Sequence, residues 1–246
     1  MPATGGRVTV AGLGPGSDAM VTPEVRAAME AATDVLGYVP YVARVPERAG
    51  LDRHPSDNRE ELDRARHALE LAASGRHALV VSSGDPGVFA MASALFEAME
   101  GRPDWQGLDV AVLPGITAML AAAAAAGAPL GHDFACLNLS DNLKPWGVIE
   151  RRIRACAGAD LAMAFYNPRS RARPEGFGRA LSVLREACEP GRLVTFARAV
   201  SGPDERIETV PLSQAAPEMA DMRTVVLVGS SMTRRVGPWV YTPRFS

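Results

Sequence analysis

The chain has 246 residues, 47% of them hydrophobic and 22% charged, with a formal net charge of −2. That apolar content and near-neutral balance exclude disorder, and a pI near 6.1 argues against general nucleic-acid binding. Of 26 Lys and Arg residues, Lys144 is the sole lysine, and bases outnumber acids only after residue 126.

Val8-Thr9-Val10-Ala11 reads as a β-branched strand ending in Gly12-Leu13-Gly14-Pro15-Gly16. Thr22, Pro23 and Glu24 supply an N-cap, a first-turn proline and an acid for a helix running to about Ala32. A second helix is predicted from near Asn58 to Gly75, with Leu62, Ala65, Leu69 and Ala72 on one face. Ala78-Leu79-Val80-Val81 is the continuous apolar run of a buried parallel strand. Beyond it, Asp85 and Pro86 fit the N-cap and first position of another helix. Val110 to Leu113 repeats the strand pattern before Pro114-Gly115 and an alanine-rich helix ending near Ala126.

A small-residue stretch, Gly127 to Gly131, opens the second half. Strands are expected at Leu161 to Tyr166, Leu193 to Ala197, Ile207 to Val210 and Thr224 to Val228. Helices are expected around Ile149 to Ala155 and Gly178 to Ala187. The pattern predicts an α/β protein of two αβα domains, residues 1–126 and 127–246, with a ligand cleft between them at strand ends.

No secretory signal is visible between Met1 and Arg7, and Ile116 to Ala126 falls short of the ~20 residues that span a bilayer. Cys136, Cys156 and Cys188 form no CxxC pair, and His54, His67, His77 and His132 show no ligand spacing. A reduced, cytoplasmic protein without a metal is the expectation.

The glycine loop invites a nucleotide-binding reading because it follows a strand. A dinucleotide fingerprint needs a third glycine where Ser17 stands, and Pro15 removes a backbone donor. The loop also lacks a phosphate-loop lysine.

Five junctions together are more specific. They are Gly12-Leu13-Gly14-Pro15-Gly16, Ser83-Gly84-Asp85-Pro86-Gly87-Val88-Phe89, Pro114-Gly115-Ile116-Thr117-Ala118, Phe165-Tyr166-Asn167-Pro168 and Thr224-Val225-Val226-Leu227-Val228-Gly229. In this order and spacing the chain resembles the tetrapyrrole methylases over nearly its whole length. Further segments resemble the branch that methylates C17 of a cobalamin precursor: Gly37 to Tyr41, His132 to Phe134, Leu139 to Trp146, Tyr166 to Arg171 and Tyr241 to Arg244. Relatives outside that branch carry acids where Ser17 and Val39 stand, so their acid–base roles do not transfer.

The resemblance implies S-adenosylmethionine as methyl donor, a tetrapyrrole substrate, contraction of its macrocycle and a homodimer. It implies a cofactor site formed by Pro15, Ser83, Gly84, Asp85, Val88, Phe89, Pro114, Gly115, Thr117 and Ala118. Leu139, Tyr166, Asn167, Ala199, Val200, Thr224 and Val225 complete it. Ring contraction needs a general base, and Asp141, Tyr166, His132 and Asp133 are the candidates. A substrate rich in carboxylates favours arginine, whose planar fork matches them bidentately. Arg169, Arg171 and Arg173 are the first candidates, with Arg44, Arg244, Gly14 and Ser17 beside them. A methylase acting on a cobalt-containing substrate, an NAD(P)-dependent oxidoreductase and a tetrapyrrole carrier are the competing readings.

Overall fold

A computed structural model describes residues 5–57 and 60–245, so the expected helix start at Asn58 lies outside the described residues. These residues form two compact units divided between Thr117 and Ala118. The alanine-rich helix therefore groups with the second unit, nine residues earlier than the boundary read from the sequence.

The first unit runs β1 (Arg7–Gly12), α1 (Pro23–Ala31), β2 (Asp34–Tyr38), α2 (Val39–Val42), β3 (Asp52–Ser56), α3 (Glu61–Ala73), β4 (His77–Ser82), α4 (Met91–Glu100) and β5 (Asp109–Leu113). Its five strands are all parallel, in the order β3-β2-β4-β1-β5. Strand alternation puts Val8, Val10, Ala78 and Val80 on the face covered by α3 and α4. Ala11, Leu79 and Val81 face α1 and α2 instead. Both faces are covered, which is why β1 and β4 read as unbroken apolar runs.

Thr22 caps α1 as the sequence predicts, its hydroxyl accepting from Val25 N at 3.3 Å. Two other expectations are corrected. Leu62 is 41% exposed, and the buried stripe of α3 is Arg64, Ala65, Ala68, Leu69 and Ala72, because the axis of burial passes closer to Ala68. Asp85 and Pro86 do not open a helix, which begins only at Met91. Residues 85–90 turn instead, with Phe89 at φ 54°, and Asp85 caps the local Gly87 N–H at 2.8 Å. Strand β3 went unpredicted because Pro55 and its polar neighbours hide it; as an edge strand it tolerates that proline.

The second unit runs α5 (Ala118–Ala126), β6 (Gly127–Ala128), β7 (Phe134–Asn138), α6 (Trp146–Gly158), β8 (Ala162–Tyr166), α7 (Gly176–Ala187), β9 (Leu193–Arg198), β10 (Arg206–Pro211), β11 (Thr224–Val228), β12 (Arg234–Val236) and β13 (Trp239–Tyr241). Its main sheet has the order β10-β9-β11-β8-β7, and β11 is antiparallel to both neighbours. Met163, Phe165, Val194 and Phe196 pack with α6 and α7 on one face. Ala164, Ala197, Val225 and Leu227 pack with α5 on the other. A small sheet, β12-β13-β6, follows the chain to its last strand. No helix among the described residues is long and apolar enough to cross a membrane.

Candidate functional site

In the first unit, the loops after β1, β4 and β5 fuse at the carboxyl edge of three adjacent strands. Leu13 N donates to Ser82 O at 2.8 Å, and Gly14 and Gly84 exchange backbone hydrogen bonds at 3.2 and 2.9 Å. Gly14 has φ 69° and Gly84 φ 65°, conformations that glycine adopts without cost. A methyl on Gly115 would overlap the Gly84 carbonyl oxygen and lie 2.8 Å from Gly12 O. The glycines thus permit loop-to-loop packing of backbones. Asp85 completes the join, its second carboxylate oxygen accepting from Gly115 N at 3.1 Å. This geometry also weighs against the dinucleotide reading, since Leu13 and Gly14 spend their N–H groups on neighbouring carbonyls.

Several predicted residues serve this edge directly. Arg44 donates to Leu13 O at 2.7 Å and lies 3.5 Å from Asp18, so its guanidinium braces the glycine loop. The Ser17 hydroxyl accepts from Ala19 N at 3.2 Å, capping a short turn. Ser83, Val88 and Pro15 are partly buried, while Phe89 and Pro114 are exposed and Thr117 is buried.

Sequence reasoning gave no role to Tyr41 or Arg64, yet both belong to this neighbourhood. Burial pushes the Tyr41 phenol up, against a hydrogen bond with the Ser83 side chain. Arg64, 5% exposed, donates to Ser56 Oγ at 2.9 Å and to Asp57 O at 2.6 Å. An arginine on the apolar stripe of α3 was the signal available for it.

The second unit gathers its predicted residues at one edge of the main sheet. Register pairs Asn138 with Tyr166 and Thr224 with Arg198, so the ends of β7, β8 and β9 meet the start of β11. Leu139, Tyr166, Asn167, Ala199, Val200, Thr224 and Val225 therefore share that edge. Ala199 and Asn167 hold φ of 49° and 52°, turning the chain away from the strands. The Tyr166 hydroxyl accepts from Met119 N at 2.8 Å, in the first turn of α5 where backbone donors lack helical partners. Thr224 is turned to its own loop, donating to Asp221 Oδ1 at 2.8 Å.

The four base candidates are not brought together. Asp141 lies beyond the carboxyl end of β7 and Tyr166 is the last residue of β8, whereas His132 and Asp133 precede β7. The strand between them spans roughly 17 Å at ~3.3 Å per residue. His132 and Asp133 are exposed and 3.8 Å apart. Arg169 donates to Pro174 O at 3.3 Å and Arg173 to Asn167 O at 3.5 Å, while Arg171 and Arg244 are exposed. A recess of about 650 Å³ on β9 and β10, lined by Phe196, Arg198, Glu208 and Asp221, holds none of the predicted residues.

Comparisons with known proteins agree with one another. Residues 7–216 match the family Tetrapyrrole (Corrin/Porphyrin) Methylases. The chain is 50% identical to a precorrin-3B C(17)-methyltransferase of Sinorhizobium sp, over 98% of this chain and 97% of that protein. It is 38% identical to a probable cobalt-factor III C(17)-methyltransferase of Salmonella typhimurium, over 96% and 98%. The crystal structure of the methyltransferase CobJ superposes with a TM-score of 0.95 at 68% identity, covering 97% of this chain and all of that one.

Proposed function

The chain belongs to the tetrapyrrole methylase family, and from that premise we propose that it transfers a methyl group to C17 of precorrin-3B in cobalamin biosynthesis. The chain is a methyltransferase that uses S-adenosylmethionine. The observation carrying the substrate assignment is 50% identity over nearly the full length of both chains with a precorrin-3B enzyme, against 38% with a cobalt-factor III enzyme.

The residues at the two sheet edges fit S-adenosylmethionine chemically. The partly exposed Ser83 and Asn167 offer polar groups to its ribose and amino-acid ends, while the partly exposed Pro15 and Val88 offer apolar surface to adenine. When bound, the donor supplies a methyl carbon already activated by positive sulfur. The protein's share is then alignment and exclusion of water, so proximity and orientation dominate. Loops tied as firmly as those of Gly12, Gly84 and Gly115 suit that task, because each is fixed by its neighbours' backbone.

The reading extends to contraction of the macrocycle, with Tyr166 or Asp141 taking the proton from the substrate hydroxyl. Tyr166 is favoured by its backbone N–H donor, which stabilises negative charge on the phenol oxygen. Arg169, Arg171 and Arg173 are assigned to substrate carboxylates. A homodimer and a cytoplasmic location complete the proposal. Incubation with precorrin-3B and S-adenosylmethionine, followed by mass spectrometry, tests it. A product heavier by one methyl group supports the reading. Turnover of cobalt-factor III alone overturns the substrate assignment, and NADP binding without S-adenosylhomocysteine binding overturns the methylase reading.

A further inference from the structure

Two cations of the second unit stand at opposite ends of one hydrogen-bond chain. Lys144 Nζ donates to Ser140 O at 3.0 Å, and Ser140 N donates to Asn138 Oδ1 at 2.9 Å. Asn167 Nδ2 donates to the same Asn138 oxygen at 3.1 Å, and Arg173 Nη1 reaches Asn167 O at 3.5 Å. The chain joins the loop after β7 to the loop after β8, the two strands whose ends pair Asn138 with Tyr166.

The cations at its ends have no carboxylate paired directly with them among the described residues. Among the described residues, no carboxylate lies within 4 Å of Lys144, Arg152, Arg169, Arg171 or Arg173, whereas Arg154 on the same helix as Arg152 contacts both Glu150 and Glu186. Arg152 and Arg173 both act on Lys144 through their fields, and the exposed Asp141 is the acid opposing them. Like charges gathered without partners store repulsion that an incoming anion relieves. Lys144 is also partly buried, where its ammonium is screened less than a surface charge.

We propose that Lys144 and Arg173 together hold one carboxylate of the substrate at the ends of β7 and β8. The inference rests on the tetrapyrrole reading for the identity of the ligand and adds a residue to it. Chain chemistry agrees. Everywhere else this sequence uses arginine, 25 times in 26 cations, and here alone it keeps lysine. The Lys144 ammonium spends one proton on Ser140 O and leaves two others to aim at an anion.

The test is binding and turnover by Lys144→Gln, Arg173→Gln and the double variant. Binding is read by fluorescence quenching of uroporphyrin, a polycarboxylate tetrapyrrole, so the anion site is measured apart from methyl transfer. Each single variant is expected to weaken uroporphyrin binding about tenfold and to raise KM for precorrin-3B with little change in kcat. The double variant is expected to lose less than the product of the two, because both cations serve one carboxylate. Affinity for S-adenosylhomocysteine is expected to stay unchanged, showing that the variants fold. Lys144→Arg guards against a misfolded Gln variant and is expected to recover part of the lost affinity. Wild-type protein that binds no uroporphyrin, or Gln variants that bind it as tightly as wild type, overturns the inference. Binding of uroporphyrin that depends on Lys144, without turnover of precorrin-3B, overturns the substrate reading and leaves the anion site standing.

Discussion

The Asp85 carboxylate accepts the backbone N–H of Gly115 at 3.1 Å across 30 positions of sequence. With its other oxygen on Gly87 N, one side chain ties the β4 loop to the β5 loop and fixes its own turn. Asp85→Ala removes both acceptors and is expected to cost about 1–2 kcal/mol of stability, since hydrogen bonds to a charged group are worth about 1.5–3 kcal/mol and this one is partly exposed. Asp85→Asn retains one acceptor and should lose about half as much. Urea unfolding checks the stability, and S-adenosylhomocysteine titration should show weaker binding for both.

Glycine at 115 is demanded by packing. Its methyl would overlap the Gly84 carbonyl, so Gly115→Ala is expected to cost about 3 kcal/mol or more, because backbone must move. Gly101→Ala is the control. Nothing lies within 4 Å of its position, and it closes α4 at φ −84°, so its melting temperature should match wild type.

Tyr166→Phe keeps the ring and removes the oxygen that accepts from Met119 N. The orphaned donor in the first turn of α5 should cost about 1 kcal/mol. If Tyr166 as phenolate takes the substrate proton, kcat should fall at least tenfold and the rise of rate with pH that reports ionisation of the base should be lost. Unchanged kcat, with only the small stability loss, would transfer the role to Asp141.

Acid stability should depend on Asp34. Burial alone would raise its pKa, but hydrogen bonds from Arg76, Thr33 and His54 outweigh it and hold the carboxyl below the ordinary range. A depressed native pKa contributes stability that is complete above the unfolded value, near ~3.9, and is lost as pH falls through the native one. Asp34→Asn should therefore flatten the dependence of the urea midpoint on pH below about 5. A variant whose midpoint falls with acid as steeply as wild type would contradict this.

Cys136 should resist alkylation. Burial on β7 pushes its thiol up to about 11, so little thiolate exists at neutral pH. Iodoacetamide labelling followed by mass spectrometry should show rapid modification only in strongly alkaline solution, and Cys136→Ser should retain methyl transfer.

Much of the fold was legible because local chemistry declared it. The Thr22 cap with Pro23, the apolar runs of β1 and β4, and glycines at strand ends each act within a few residues, and the structure keeps them. The five junction motifs also announced the family, since residues at strand ends are constrained by backbone conformation as well as by ligand. Strands β3 and β7 stayed hidden because edge strands are half exposed and need no apolar run. What Asp85 does was equally out of reach. Its local signal is that of a helix cap, while its actual partner is Gly115, placed beside it because β4 and β5 flank β1 in the sheet. The same holds for the tie between Lys144 and Arg173. Composition shows one lysine among arginines and a basic excess around it, but only the parallel register of β7 and β8 brings Asn138 to Asn167 and so links the two cations. The sequence by itself determined the family to which the chain belongs and those elements that local chemistry declares, such as the buried strands β1 and β4 and the capped helix α1. The tertiary structure decided which distant loops share an edge, because strand order and register are properties of the assembled sheet.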